Sequence, residues 1–137
     1  MQTARPTKGG RGRTIAIIGV VIIIAVAAGA YYFFTSRPRT VPVTIPNGIS
    51  SNQTLNFTPK AITVVVGVNN TIQWTNQDSA AHTVTSTSIP SGASSFDSGN
   101  LNAGATFTVT LTTPGTYHYL CSIHPAWMIA TIIVKSG

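Results

Sequence analysis

The sequence feature that most constrains this chain is a run of 21 residues, Thr14 to Phe34, without a charged side chain. A helix rises about 1.5 Å per residue, so this run would span roughly 30 Å, the thickness of a bilayer's hydrocarbon core. It predicts one transmembrane helix over residues 14–34, after a basic cytoplasmic tail over residues 1–13. A cleaved secretory signal is the alternative, because "AGA" at 28–30 is typical of a cleavage site, although the apolar part of such signals is usually shorter.

The distribution of charge predicts the orientation of the chain and excludes one class of partner. Four basic residues precede the apolar run and two follow it, and basic flanks favour the cytoplasmic side. We therefore expect a single-pass protein of the cell membrane, with its N-terminus in the cytoplasm and the rest extracytoplasmic. The charged residues after position 40 are Lys60, Asp78, Asp97 and Lys135. Such a nearly neutral segment lacks the basic surface that nucleic-acid binding needs.

Beyond a short linker over residues 35–40, the composition is typical of β-structure. Residues 41–137 are rich in Thr, Val and Ile and are interrupted by turn signals such as "NG", "PSG" and "PG". This pattern predicts an all-β sandwich domain. Its predicted strands are Val41–Ile45, Ala61–Val66, Thr71–Thr75, His82–Ser86, Thr106–Leu111, Thr116–Cys121 and Ile129–Val134.

The stretch "CSIHPAWM", residues 121–128, concentrates chemically active side chains. It contains the only cysteine of the chain, His124, and the only methionine besides Met1. A single cysteine outside the cytoplasm cannot form an internal disulfide. An intermolecular disulfide, an inert buried thiol and a metal-bound thiolate are the alternatives.

The alternation of side-chain direction along a strand separates one of the three histidines from the candidate ligands. If Cys121 points inward, Tyr119 and Tyr117 do so too, and His118 points to the opposite face. The remaining candidate ligands are His82, Cys121, His124 and Met128. Two imidazoles, a thiolate and a weak axial thioether are typical of a type 1 copper site, and zinc is the main competing metal.

The chain resembles the cupredoxins, the blue copper proteins of plastocyanin and amicyanin type, over roughly residues 41–136. The resemblance lies in "FTPKAITVVVGVNNTIQWTNQDSAAHTV", "FDSGNLNAGATFTVTLTTPGTYHYLCSIHP" and "IATIIV". It implies a Greek-key β-sandwich that binds one type 1 copper ion through His82, Cys121, His124 and Met128. The three-residue gap between His124 and Met128 departs from the gaps common in the family. If Met128 does not bind, the axial position is empty or holds water or a backbone carbonyl.

The resemblance also implies a function. We expect a membrane-anchored protein that carries single electrons between redox partners as copper cycles between Cu(I) and Cu(II). The expected partners are membrane or extracytoplasmic redox proteins of the respiratory oxidoreductase or oxidase class, docking where Pro125, Ala126 and Trp127 surround His124, unless Trp127 packs inward. Extracytoplasmic copper delivery is the alternative. An enzyme is not expected, because the chain offers no second set of metal ligands once His118 points outward.

Three residues beside the ligands are expected to support the site. Thr83 and Ser122, each directly after a ligand, could hydrogen-bond to each other and join the two ligand loops. The backbone N–H of Ile123 could donate to the sulfur of Cys121, in which case Ile123→Pro would lower the reduction potential.

Overall fold

The computed structural model describes residues 11–35 and 39–137, with the side chains of the N-terminal helix described over residues 17–32. Contacts divide the chain into two compact units, Met1–Arg37 and Pro38–Gly137. The first contains helix α1, Arg11–Thr35, which includes the whole predicted segment 14–34. Among these described residues, none of the helices combines the length and apolarity that crossing a membrane requires, so the helix is confirmed but the membrane span is not. The predicted tail lies mostly outside the described residues, and so do positions 36–38 of the predicted linker.

The second unit is a β-sandwich, as predicted. One sheet has three strands in the order β1-β3-β5, and the other has four in the order β2-β7-β6-β4. β1 runs parallel to β3 and β2 parallel to β7, whereas the other neighbours are antiparallel. The strands are β1 Thr40–Ile45, β2 Ala61–Val65, β3 Thr71–Asn76, β4 Thr85–Ser88, β5 Thr106–Thr110, β6 Gly115–Leu120 and β7 Ile129–Lys135.

Aromatic side chains fill the space between the sheets. The buried indole of Trp74, on β3, lies edge-on to the ring of Tyr119 at 5.5 Å between centroids, and within 6 Å of Phe96 and Phe107. Tyr117, Tyr119 and Cys121 are buried, whereas His118 between them is exposed. The predicted alternation along β6 is thus confirmed, and it carries Cys121 into the interior at the end of the strand.

One predicted strand, His82–Ser86, is wrong at its start. Regular pairing begins only at Thr85, because the preceding backbone N–H groups have other partners. His82 donates to the carbonyl of Leu101, Thr83 donates to the sulfur of Cys121, and Val84 donates to the hydroxyl of Ser98. His82 therefore lies in a loop whose backbone is held by residues distant in sequence, one of which is the predicted ligand Cys121.

Candidate metal centre

The loop after β3 brings His82 into the interior. Asn76, buried at the end of β3, donates from its side-chain amide to the carbonyls of Ala80 and Leu101, at 2.8 Å each, and accepts from the N–H of Asp78. These bonds fold the loop back on itself and satisfy backbone groups that burial would otherwise leave unpaired. His82 is 0% exposed.

The loop between β6 and β7 is closed by three backbone hydrogen bonds. Cys121 N–H donates to the carbonyl of Met128, His124 N–H donates to that of Cys121, and Met128 N–H donates to that of His124, all within 3.0–3.2 Å. Each bond joins two of the predicted ligand residues. The backbone of the loop is thereby fixed around the candidate site.

The structure brings three of the predicted ligands together. Nδ1 of His82 lies 3.7 Å and Nδ1 of His124 lies 3.9 Å from Sγ of Cys121. The three donor atoms lie within 4.8 Å of one another, and no other such group of His, Cys, Asp or Glu occurs among the described residues. Nitrogen and sulfur donors bind an ion at about 2.0–2.3 Å, so donors in a trigonal plane lie roughly 3.5–4 Å apart. Both distances from the sulfur to a histidine nitrogen therefore fit one shared ion.

Met128, the fourth predicted ligand, is also in the interior. Its side chain is 0% exposed, and its backbone bonds to both Cys121 and His124. Its thioether as axial donor stays a prediction. His118, set aside from the sequence, is exposed on β6, where Nδ1 lies 3.1 Å from the hydroxyl of Thr131.

Thr83 and Ser122 join the two ligand loops, as predicted. Their hydroxyls are 2.9 Å apart, and Ser122 N–H also donates to Oγ1 of Thr83 at 2.7 Å. The N–H of Thr83 donates to Sγ of Cys121 at 3.3 Å. The predicted donor, Ile123 N–H, makes no bond to this sulfur in the part of the chain that the structure describes, and the predicted effect of Ile123→Pro loses its basis.

We expect Thr83→Val to lower the free energy of unfolding by about 1–2 kcal/mol, because Ser122 N–H loses its acceptor while the side-chain volume is kept. Urea unfolding of the metal-free protein measures this. Thr116→Val, on the exposed face of β6, is the matched control and should change stability by less than about 0.5 kcal/mol. Equal effects of the two variants would contradict the bridge between the loops.

A residue that the sequence analysis missed, Asp78, contacts His82. Its Oδ2 lies 2.8 Å from His82 Nε2, and its side chain also accepts from the N–H groups of Gly48, Ser50 and Ser79. Burial raises the pKa of Asp78, but the hydrogen bonds from His82, Gly48 and Ser50 outweigh burial and hold this pKa well below its usual value. An acid four residues before a candidate ligand histidine was the signal available in the sequence.

His124 lies at the protein surface. It is half-buried, and its ring packs 4.8 Å from the ring of Trp127. Trp127 is itself partly buried against the core, and its carbonyl accepts from the side-chain amide of Asn56. Of the two roles considered for Trp127, loop support agrees with this packing. Ile123, Pro125 and Ala126, which neighbour His124 in the sequence, are apolar and exposed.

Protonation of two groups is expected to destabilise the metal-free protein as pH falls. Burial, and to a smaller extent His82, lowers the pKa of His124, with Asp78 opposing. The unfolded chain then binds more protons than the folded one below about pH 6.5, so stability falls with pH there. The lowered pKa of Asp78 removes further stability below about pH 4.

Urea unfolding midpoints between about pH 7.5 and 3.5 test this pH dependence. His124→Gln should flatten the fall between about pH 7 and 5, and His118→Gln should retain it. A midpoint that rises as pH falls toward 5 would contradict the sign of the His124 shift.

Comparisons with known proteins agree with this geometry. The family described as "Copper binding proteins, plastocyanin/azurin family" matches residues 43–135. Plastocyanin from Prochlorothrix hollandica is 28% identical over 121 residues, which cover 85% of this chain and 90% of that protein. A purple cupredoxin from Nitrosopumilus maritimus superimposes with a TM-score of 0.58 and 30% identity, covering 69% of this chain and 99% of that one. A copper-containing nitrite reductase from Thermus scotoductus reaches a TM-score of 0.60 at 27% identity, but the match covers 74% of this chain and only 23% of the enzyme.

Proposed function

Since the chain belongs to the plastocyanin/azurin family of copper-binding proteins, we propose that it carries single electrons between redox partners at the outer face of a cell membrane. Within this family it is a small blue copper electron carrier rather than an enzyme, and its cofactor is copper. The observation that carries the proposal is the cluster of His82 Nδ1, Cys121 Sγ and His124 Nδ1. We assign these atoms, with the thioether of Met128, as the copper ligands.

The residues of the site are held so that they move little when the bound ion gains or loses an electron. A bound copper ion supplies exchange between Cu(I) and Cu(II). Cys121 would bind as a thiolate and both histidines through neutral imidazole. The buried donors lie on two loops. Backbone hydrogen bonds, and the hydrogen bonds between Thr83 and Ser122, hold these loops in place. Ligands held in one arrangement lower the reorganisation that each change of charge requires.

The exposed surface at His124 supports the proposed docking of a partner. We name Ile123, Pro125 and Ala126 the His124 patch; all three are exposed, and Ile123 is 48% exposed. Beside a half-buried ligand, this patch gives a redox partner an apolar contact close to the metal. The low charge of the domain favours a partner recognised by apolar contact over one steered by charge. A respiratory oxidoreductase or oxidase in the same membrane fits this description.

Anchoring to the membrane is a further part of the proposal. It is supported by the charge-free run 14–34, by the basic residues on either side of it, and by the exposed apolar side chains of α1 between Ile17 and Tyr32. A tether would raise the local concentration of a partner in the same membrane. We expect the full chain to stay with the membrane fraction after an alkaline carbonate wash. Release into the soluble fraction would contradict the anchor and leave the copper function untouched.

Whether the protein keeps its copper distinguishes an electron carrier from a copper-delivery protein. A carrier keeps its copper in both oxidation states when challenged with a competing chelator, and it exchanges electrons between oxidised and reduced molecules. We expect the protein to keep its copper in the presence of the chelator while it exchanges electrons many times. NMR line broadening in mixtures of the oxidised and reduced protein measures the rate of electron exchange. Rapid loss of copper to the chelator, with slow electron exchange, would contradict the carrier. The relative from Nitrosopumilus maritimus is described as purple, so a visible band displaced from that of blue copper proteins would remain consistent with electron transfer.

A further inference from the structure

We propose that Asp78 is a positioning residue of the copper site. Its carboxylate fixes the His82 tautomer that leaves Nδ1 free for the metal, and its buried negative charge favours Cu(II) over Cu(I). The inference rests on the proposed function, because it concerns the same metal ion. It adds a residue outside the predicted ligand set.

The tautomer follows from the hydrogen bond between the two side chains. Nε2 of His82 lies 2.8 Å from Oδ2 of Asp78, and the two side chains are 0% and 1% exposed. An ionised carboxylate only accepts hydrogen bonds, and a neutral imidazole carries one N–H. The proton of His82 therefore resides on Nε2. Nδ1, which lies 3.7 Å from Sγ of Cys121, keeps its lone pair for the ion.

The other contacts of Asp78 show that it is a carboxylate. Oδ1 accepts from the N–H groups of Gly48 and Ser79, and Oδ2 accepts from the N–H of Ser50 in addition to His82. The backbone partners can only donate, so they offer a protonated carboxyl no acceptor. Four donors offset the desolvation of a buried charge.

This carboxylate changes the charge balance at the copper site. The thiolate of Cys121 and the carboxylate of Asp78 together carry two negative charges, which neutralise Cu(II) but leave one negative charge in excess over Cu(I). Among the described residues, no lysine or arginine forms a salt bridge with Asp78, and its contact with the neutral imidazole of His82 is a hydrogen bond that leaves the negative charge in place. Because Asp78 is buried, solvent screens its charge little. The oxidised state is therefore stabilised relative to the reduced one.

A purely structural role is the alternative, since Asp78 also ties the loop of Gly48 and Ser50 to the loop of His82. Loss of that tie would lower stability. It would not determine which nitrogen of His82 carries the proton, and it would not by itself shift the copper equilibrium in one direction. The test therefore measures the tautomer of His82 and the reduction potential of the bound copper.

The first measurement uses the metal-free wild-type full chain, so it depends on no variant. Nitrogen-15 NMR of the histidine side chains near neutral pH distinguishes an N–H from a bare ring nitrogen. We expect His82 to carry its proton on Nε2. A proton on Nδ1 would overturn the inference.

The second measurement compares Asp78→Asn with Asp97→Asn in the copper-loaded full chain. Asparagine removes the charge and keeps an oxygen that can accept from His82, although its amide group replaces the oxygen that accepts from Gly48 and Ser79. Asp97 is the one other acid of the chain and is exposed. Spectroelectrochemistry should show a more positive reduction potential for Asp78→Asn, equivalent to a roughly 10- to 100-fold rise in the ratio of Cu(I) to Cu(II) affinity. Asp97→Asn should match the wild type.

The outcomes separate this inference from the proposed function. A wild-type protein with an intense thiolate-to-copper band, together with an unshifted or lowered potential in Asp78→Asn, would overturn the role of Asp78 and leave the electron carrier intact. A wild-type protein without that band would overturn the proposed function itself. If Asp78→Asn does not fold, the tautomer of the wild-type protein decides the question.

Discussion

Replacing Cys121 by serine is expected to abolish the intense visible band of the copper-loaded protein and to weaken copper binding by more than about 100-fold. The thiolate is the only sulfur donor in the cluster of three, and charge transfer from sulfur to Cu(II) gives such a band its intensity. Loss of a residue that merely orients a ligand weakens metal binding by about 10–100-fold, so loss of the ligand should have a larger effect. Visible absorption and competition with a copper chelator measure the two quantities.

His118→Ala is the matched control for this substitution. His118 is exposed on β6, three residues before Cys121, and its ring contacts Thr131. It should leave both the band and the copper affinity unchanged. Persistence of an intense band in Cys121→Ser, or its loss in His118→Ala, would contradict the assignment of the site.

The largest expected loss of stability is that of Trp74→Ala, about 3–5 kcal/mol in the free energy of unfolding. Trp74 is fully buried on β3 and packs against Tyr119, Phe96 and Phe107. Its removal would leave a cavity between the two sheets, which a rigid sandwich fills only in part. Since domains of this size are stable by about 5–15 kcal/mol, the variant should lose a large fraction of the stability of the domain. Urea unfolding of the metal-free protein measures the loss.

Gln73→Ala is the control for Trp74→Ala. Gln73 precedes Trp74 on the same strand and is exposed, so its truncation should change stability by less than about 0.5 kcal/mol. A loss below about 1.5 kcal/mol for Trp74→Ala would mean that the aromatic cluster is not the core of the sandwich.

Regular periodicity made much of the fold predictable from the sequence. Six of the seven strands lie within one residue of their predicted bounds at each end. The alternation along β6 placed Tyr117 and Cys121 inside and His118 outside. Side chains alternate between the two faces of such strands, so the order of apolar and polar residues in the sequence predicts both the strand and its buried face.

The parts that were not predictable depend on contacts between distant residues. The strand predicted at His82 begins later because Leu101, Cys121 and Ser98 take its backbone N–H groups. The backbone N–H of Ile123 was predicted to donate to the sulfur of Cys121, whereas the donor is that of Thr83, 38 residues away in the sequence. The conformation of such a loop depends on contacts with residues distant in sequence, which no local sequence pattern predicts.

Asp78 shows the same limit for the site itself. The sequence predicted four ligands and a bridge between their loops, and the bridge of Thr83 with Ser122 is confirmed. The carboxylate beside His82 was not predicted: its position four residues before the histidine was visible in the sequence, but the N–H groups of Gly48 and Ser50 that hold it there belong to a different loop. Ligand types and their spacing therefore indicate the metal, whereas the residues that orient the ligands require the three-dimensional structure.

The central claim is that His82, Cys121 and His124 form a type 1 copper site that exchanges electrons. The visible absorption spectrum of the full chain, titrated with Cu(II) and then cycled with ascorbate and ferricyanide, tests it most directly. We predict an intense thiolate-to-copper band that saturates at one copper ion per chain, disappears on reduction and returns on oxidation. A weak spectrum that ascorbate does not change, or copper that is lost during the cycle, would contradict the claim.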